Sequence, residues 1–103
     1  MEKETIINEV VKVIRRYLSE EYKIYLFGSW AKGTALETSD LDIGILGDSF
    51  VADDILTKIS REVQTISTLR GIDVVDLWAK SDDFRKGVLD YAQLIGNTKQ
   101  SNG

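Results

Sequence analysis

Three aspartates lie where the chain is predicted to form strands, and their spacing could bring them to one site. Asp40 and Asp42 are two residues apart, so on a strand both carboxylates project from one face, with Cα atoms about 6.5 Å apart. Two such carboxylates repel each other, and a divalent cation between them removes the repulsion. An isolated Asp-x-Asp pair is more often a solvated acidic strand face, so the pair alone does not establish a metal site.

The third carboxylate comes from the next predicted strand. Asp73 can converge on the face of Asp40 and Asp42 if the two strands are neighbours, whereas Asp76, three residues further on, points to the opposite face. Only one of these two residues can therefore belong to the site. Three carboxylates on neighbouring strands suit two Mg²⁺ ions about 3.5–4 Å apart, an arrangement used in phosphoryl and nucleotidyl transfer.

A Gly28-Ser29 pair follows a predicted strand and precedes a possible helix start. Glycine lets the backbone approach a ligand closely, and amide N–H groups with a hydroxyl at a helix N-terminus suit a phosphate. A plain tight turn with a capping serine also explains the pair. The spacing Gly28-x4-Gly33 resembles a P-loop, but Thr34 follows where that loop requires lysine, so a P-loop is excluded.

Hydrophobic periodicity predicts the elements that position these residues. They are a helix over Thr5–Leu18, a strand over Tyr22–Phe27, a loop with a short helical turn over Gly28–Ser39, a strand over Asp40–Leu46, a helix over Asp53–Ser67 and a strand over Ile72–Trp78. A last helix follows the N-cap Ser81 and stops at Gly96-Asn97, and its apolar residues are Phe84, Val88, Tyr91, Ala92 and Ile95. This order predicts an α/β (α+β) fold with one small mixed sheet of three or more strands flanked by helices. We expect a single domain over residues 1–97 and a flexible polar tail over 98–103.

The composition of the 103-residue chain restricts its chemistry. It contains no Cys, His or Pro, which excludes disulfide scaffolds, cysteine-bearing zinc sites, thiol nucleophiles and imidazole bases. Any metal must be held by oxygen, which favours Mg²⁺ or Mn²⁺. The net charge of -4 argues against a broad nucleic-acid surface. No apolar stretch approaches the roughly 20 residues of a membrane span and the charged N-terminus lacks a signal region, so we expect a cytoplasmic protein.

Joined together, Gly28-Ser29, ten intervening residues and Asp40-x-Asp42 resemble the signature of the DNA polymerase β-like nucleotidyltransferase superfamily. More narrowly, the chain is similar to the minimal nucleotidyltransferase (MNT) domains of bacteria and archaea, from the first strand through the third helix. The resemblance implies a polymerase β-like nucleotidyltransferase core in which Gly28 and Ser29 bind the β- and γ-phosphates of an NTP such as ATP. It also implies that Asp40 and Asp42 bind two Mg²⁺ ions.

The resemblance further implies that Asp73 is the third catalytic and metal-binding carboxylate, which helps to activate the attacking hydroxyl. It favours Asp73 over Asp76 because the third carboxylate of the family lies early in its strand. Many relatives have arginine where this chain has Lys32. Lysine keeps the charge but loses the bidentate fork. Lys32 therefore either binds nucleotide phosphate or is a solvated surface residue.

The biological role is also implied by the resemblance. MNT proteins are typically paired with a HEPN-domain RNase toxin, which they neutralise by binding, by transferring AMP onto a tyrosine, or by both. Since a chain of this length has no room for a second domain that binds the acceptor, we expect a hetero-oligomer with a HEPN toxin and AMP transfer from ATP to that partner. The alternatives are an antitoxin that acts by binding alone with a vestigial nucleotide site, a small-molecule nucleotidyltransferase that works with a partner subunit, and an Asp-x-Asp glycosyltransferase.

Overall fold

A computed structural model describes residues 3–66, 68 and 70–96. Its elements are α1 (Lys3–Tyr17), β1 (Lys23–Phe27), the short helix α2 (Gly28–Lys32), β2 (Leu41–Leu46), α3 (Asp53–Val63), β3 (Ile72–Asp76), a 3-10 helix (Leu77–Ala79), α4 (Asp82–Leu89) and β4 (Gln93–Ile95). Within this part of the chain, no helix is long and apolar enough to cross a membrane. Asn97 of the predicted helix stop and the predicted tail over 98–103 lie outside the described residues, so the domain boundary stays a prediction.

The four strands form one mixed sheet in the order β3-β2-β1-β4. Strand β1 runs antiparallel to both β2 and β4, whereas β2 and β3 are parallel. A parallel pair needs a crossover connection, and α3 lies in the connection between β2 and β3. The predicted small mixed sheet flanked by helices is therefore confirmed, with four strands.

One face of this sheet carries the main hydrophobic core. Alternate residues of β1, β2 and β3 point to this face and pack against the apolar stripes of α1 and α3. The most deeply buried members are Ile6, Val10, Ile14, Ile24, Leu26, Leu41, Ile43, Ile45, Ile59 and Val63. Truncating one of these isoleucines to alanine would cost about 2–5 kcal/mol, so this layer fixes the strand register on which the site depends.

The opposite face is covered by a smaller apolar cluster built on Phe27, Leu77 and Val88, with Tyr25 and Tyr91 among the side chains packed against it. This cluster places the 3-10 helix over β2, where Leu77 lies against Gly44, and brings α4 to the same face of the sheet. Asp73, on β3 at the far side of the same face, is exposed. This face is therefore partly apolar and partly open, and the candidate site lies on it.

The strand predicted over Ile72–Trp78 and the helix predicted over Asp53–Ser67 both end earlier than the periodicity predicts. The strand predicted to reach Trp78 ends at Asp76, because the Asp76 carboxylate accepts a hydrogen bond from the Trp78 N–H (3.0 Å) and starts the 3-10 helix. The helix predicted to reach Ser67 ends at Val63, because the next N–H groups bond to carbonyls only three residues earlier and so form a tighter turn. Ser67 lies outside the described residues.

The prediction of a third helix through Ile95 is wrong at its C-terminal end. The helix begins after Ser81, whose Oγ accepts a hydrogen bond from the Phe84 N–H (3.1 Å) as predicted, but it ends at Leu89. The N–H groups of Tyr91 and Ala92 both donate to the Val88 carbonyl, and Gln93–Ile95 then pairs with β1 as strand β4. The free edge of β1 offers these residues backbone partners, and this tertiary pairing overrides the helical spacing.

Candidate active site

Asp42 and Asp73 are neighbours across the parallel β2–β3 pair. Their Cα atoms are partners in the strand register, so both side chains leave the sheet on the same face. On the other side of Asp42, its register partner is Phe27 of β1. Asp42 is half-buried between them, whereas Asp73 is exposed. The fold therefore brings two of the three predicted carboxylates together.

Asp40 lies immediately before β2, one residue short of its predicted place on the strand. Its Oδ1 accepts a hydrogen bond from the Gly71 N–H (3.2 Å), and the adjacent Leu41 N–H donates to the Gly71 carbonyl (2.9 Å). These bonds fix Asp40 at the start of β3. Among residues 3–66, 68 and 70–96, no three acidic side chains already stand together as a metal-binding cluster.

Burial and neighbouring negative charges both raise the pKa of the Asp42 carboxyl group. Desolvation by burial raises its pKa above the usual value, and the negative charges of Asp73 and Asp40 raise it further. The charges of Asp73 and Asp40 therefore repel that of Asp42 near the strand ends. They supply only hard oxygen donors, which Mg²⁺ and Mn²⁺ prefer, and a bound divalent cation would relieve the repulsion. The residues present thus fit the expected metal.

Gly28 begins α2 directly after β1, and it packs against Asp42. Its φ of +73° lies in the left-handed region, and a Cβ at this position would stand 2.0 Å from Oδ2 of Asp42. Both facts require glycine. Ser29 follows in the first turn of α2, and its carbonyl accepts from the N–H groups of Gly33 and Thr34. The two halves of the sequence motif are therefore in direct contact.

Lys32 and Tyr91 meet beside the Gly28 turn. The Lys32 Nζ lies 4.8 Å from the centroid of the Tyr91 ring, and the Tyr91 hydroxyl accepts a hydrogen bond from the Gly28 N–H (3.0 Å). Sequence reasoning missed Tyr91 because its spacing assigned it to the buried face of a helix. The turn that ends α4 instead directs it to this site.

Hydrogen bonds from Trp30 and Arg70 hold the loop between the two halves of the motif, residues 34–40, in place. The Trp30 indole N–H donates to the Ser39 carbonyl (2.9 Å), and the Arg70 Nε donates to the Glu37 carbonyl (2.9 Å). The Arg70 guanidinium also lies 4.9 Å from the centroid of the Trp30 ring. No sequence pattern predicts this pairing, because the partners lie far apart along the chain.

Asp76 belongs to the other side of the sheet. It pairs with Ile45, whose side chain is in the main core, and it is only 5% exposed. Its carboxylate accepts hydrogen bonds from the N–H groups of Val51 (2.8 Å) and Trp78 (3.0 Å). Asp76 therefore anchors the loop before α3 and the start of the 3-10 helix, and it does not reach the face of Asp42.

The family model for polymerase beta nucleotidyltransferases matches residues 8–101 of the chain. The chain belongs to the polymerase beta nucleotidyltransferase family. It is a nucleotidyltransferase by this membership, and the family resemblance of its motif is confirmed. It is also 31% identical over 99 residues to the protein adenylyltransferase MntA of Shewanella oneidensis, an alignment that covers 92% of this chain and 68% of that protein.

Solved structures of toxin–antitoxin complexes contain chains that share the fold of the present chain. A toxin–antitoxin structure with AMP-PNP matches with a TM-score of 0.72 and 25% identity, over 92% of this chain and 76% of that one. An MNT antitoxin in complex with the tri-AMPylated HEPN toxin of Shewanella oneidensis matches with a TM-score of 0.70, over 98% of this chain and 77% of that one. At 20% identity, the second match supports the fold alone.

Proposed function

We propose that this nucleotidyltransferase transfers AMP from ATP to a tyrosine hydroxyl of a partner HEPN-domain toxin, in the cytoplasm, and thereby acts as an antitoxin. The observation that carries the proposal is the pairing of Asp42 with Asp73 on the open sheet face, beside the glycine turn that packs against Asp42. The similarity to an MntA protein adenylyltransferase supports a protein as the acceptor, and the matched toxin–antitoxin complexes support the class of partner.

Each group at the site has a separate role in this proposal. Gly28 and Ser29 bind the β- and γ-phosphates of ATP, and the Lys32 ammonium adds positive charge beside that turn. Asp40, Asp42 and Asp73 hold two Mg²⁺ ions, for which Mn²⁺ can substitute. When bound, these ions neutralise charge on the triphosphate and favour attack by the acceptor oxygen.

Asp73 is the carboxylate that helps to activate the acceptor. It is exposed, so an incoming tyrosine can reach it, whereas Asp42 is half-buried between β1 and β3. In the reaction, the tyrosine oxygen forms a bond to the α-phosphorus, the bond from that phosphorus to the bridging oxygen breaks, and pyrophosphate leaves. The hydroxyl proton passes to a carboxylate at the site, for which Asp73 is the accessible candidate.

The charge state of Asp42 is also expected to depend on metal binding. Without a cation, the raised pKa of the Asp42 carboxyl reflects burial first and the charges of Asp73 and Asp40 second. A bound divalent cation would stabilise the ionised form of Asp42, so metal binding and deprotonation of Asp42 favour each other. Nucleotide binding that depends on Mg²⁺ is therefore expected.

The test incubates the purified chain with ATP, Mg²⁺ and a HEPN-domain protein from the same genome, and measures the intact mass of that protein. We expect the mass to rise by one or more AMP groups, to stay unchanged with EDTA, and to stay unchanged with Asp42→Asn. Asp48→Asn is the matched control, because Asp48 is an exposed carboxylate beyond the far end of β2. If the wild-type chain neutralises the toxin while leaving its mass unchanged with every NTP, the chain acts by binding alone and the proposal is wrong.

A further inference from the structure

Tyr91 reaches the proposed nucleotide site from outside the sequence motif. It lies in the turn between α4 and β4, and its ring packs against the apolar cluster of Phe27, Leu77 and Val88. This packing holds the ring half-buried and directs the hydroxyl to the Gly28 turn, where it accepts a hydrogen bond from the Gly28 N–H (3.0 Å). The hydroxyl is therefore positioned by the fold rather than free in solvent.

The Tyr91 hydroxyl has a proton that it does not donate to any described residue. A tyrosine hydroxyl that accepts one hydrogen bond still has its own proton to donate. Within the described part of the chain, the Tyr91 hydroxyl makes one hydrogen bond, which it accepts from the Gly28 N–H. No acceptor among these residues receives the hydroxyl proton of Tyr91. The group thus presents an O–H donor at the turn where the triphosphate is proposed to bind.

The Lys32 side chain adds a positive charge at the same place. Its ammonium lies 4.8 Å from the centroid of the Tyr91 ring, within the range of a cation–π interaction. Such an interaction restricts a side chain that is otherwise exposed. One aromatic ring therefore positions both a hydroxyl donor and an ammonium group beside Gly28, and this combination is suited to an anionic oxygen.

We propose that Tyr91 is a triphosphate-binding residue, whose hydroxyl donates to a phosphate oxygen of the nucleotide and whose ring holds Lys32 beside that oxygen. This inference rests on the proposed function, in which Gly28 and Ser29 bind the β- and γ-phosphates. Because Tyr91 touches Gly28, its contact is with that end of the triphosphate. Tyr91 therefore favours ATP over AMP, and it does not contact the acceptor.

The test measures the affinity of the full chain for ATP and for AMP by calorimetry, with Ca²⁺ in place of Mg²⁺ to slow turnover. Tyr91→Phe keeps the ring and removes the hydroxyl, so we expect ATP affinity to fall about tenfold, the change typical of losing one hydrogen bond to a charged group. AMP affinity should stay within about twofold, since AMP lacks the β- and γ-phosphates. Tyr25→Phe is the matched control, because it removes a hydroxyl from the same cluster and leaves the bond from Gly28 to Tyr91 in place.

The outcomes separate this inference from the proposed function. If the wild-type chain binds no ATP, the proposed function fails and this inference fails with it. If the wild type binds ATP and Tyr91→Phe binds it equally well, or loses ATP and AMP affinity alike, only the inference is overturned. AMP found covalently attached to Tyr91 would also overturn it, because the hydroxyl would then be an acceptor.

A second measurement covers the case in which Tyr91→Phe does not fold. The chain has four tyrosines, so it can be labelled throughout with 3-fluorotyrosine and observed by ¹⁹F NMR. Single phenylalanine substitutions at Tyr17, Tyr22 and Tyr25 assign the Tyr91 signal by elimination. We expect ATP to shift the Tyr91 signal far more than AMP does, and equal shifts with the two nucleotides would overturn the inference.

Discussion

The Cα atom of Gly28 lies against the carboxylate of Asp42, so closely that a Cβ at position 28 would stand 2.0 Å from Oδ2. This contact joins the end of β1 to the start of β2, and each of the two residues belongs to a different half of the motif. The proposed phosphate-binding turn and the proposed metal-binding carboxylate are therefore in direct contact. A change at either residue is expected to move the other.

Gly28→Ala should displace Asp42 and abolish metal-dependent ATP binding. The new methyl group adds a clash with a carboxylate to the cost of a left-handed backbone, which is about 1–3 kcal/mol for a residue other than glycine. Chemical denaturation and ATP calorimetry measure the two effects.

Gly33→Ala is a matched control for this change. Gly33 also has a left-handed φ, +82°, but a Cβ added there would meet no atom within 4 Å. The variant should lose stability by a similar backbone cost and keep ATP binding. Equal ATP affinity in both variants would show that the contact with Asp42 does not matter for the nucleotide.

Asp73 and Asp76 should separate activity from stability. Asp73→Asn removes an exposed carboxylate and should abolish AMP transfer, while the free energy of unfolding changes by about 0.5 kcal/mol or less. Asp76→Asn leaves one of two backbone N–H groups, those of Val51 and Trp78, without its acceptor. It should cost about 1–3 kcal/mol and keep AMP transfer.

Both variants are measured by urea denaturation and by the mass of the acceptor protein. The two substitutions are chemically identical and lie on one strand, so each serves as the control for the other. If a folded Asp76→Asn variant loses AMP transfer while Asp73→Asn stays fully active, the third carboxylate is Asp76 and the assignment to Asp73 is wrong.

Most of the fold follows from local sequence patterns, and the exceptions have physical causes. The core strands and the helices over Lys3–Tyr17 and Asp53–Val63 follow from apolar periodicity, because both helices are amphipathic against one sheet face. Strand β4 could not be predicted, because its residues fit helical spacing and are recruited by the free edge of β1. Local patterns do not report which strand edge a later segment will meet.

The candidate site divides in the same way. Gly28, Ser29, Asp40 and Asp42 form a motif of fixed spacing within one short segment, and the alternation of β3 predicts that Asp73 and Asp76 lie on opposite faces. The choice of Asp73 came from the family resemblance. Tyr91 and Arg70 reach the site only through tertiary packing, and no spacing rule connects them to Gly28 or to the motif loop. The groups that position the motif were therefore found only in the structure.

Asp42→Asn should stabilise the metal-free protein at neutral pH. The pKa of Asp42 is raised in the folded state, so the folded chain binds this proton more tightly than the unfolded chain does. Stability is therefore lost as the pH rises from the usual carboxyl range through the raised pKa, and asparagine escapes this loss. Thermal melts in EDTA should give the variant a higher Tm than the wild type at pH 7.

The difference in Tm between the two proteins should disappear at about pH 3, where the Asp42 carboxyl is mostly protonated in both the folded and the unfolded chain. Asp48→Asn is the control for general loss of a negative charge, and it should show no comparable gain. Addition of Mg²⁺ with ATP should raise the Tm of the wild type and leave that of Asp42→Asn unchanged. A lower Tm for Asp42→Asn at pH 7 would mean that the Asp42 carboxylate stabilises the fold.

Arg70→Leu should loosen the motif loop over residues 34–40 without unfolding the protein. The substitution removes the hydrogen bond from the Arg70 Nε to the Glu37 carbonyl and the cation–π contact of the guanidinium with Trp30. Each of these interactions is worth about 0.5–1.5 kcal/mol, which is enough to change local opening. Hydrogen exchange should become faster at two N–H groups that bond within the loop, those of Leu36 and Ser39.

The same substitution should also reach the nucleotide site, because the loop leads directly into Asp40. Metal-dependent ATP binding should weaken by several-fold in Arg70→Leu, as measured by calorimetry. Arg61→Leu is the matched control, since Arg61 is exposed on α3 and its loss should change neither hydrogen exchange in the loop nor ATP affinity. Unchanged exchange at both loop amides in Arg70→Leu would show that Arg70 does not hold the loop, and any loss of ATP affinity would then need another cause.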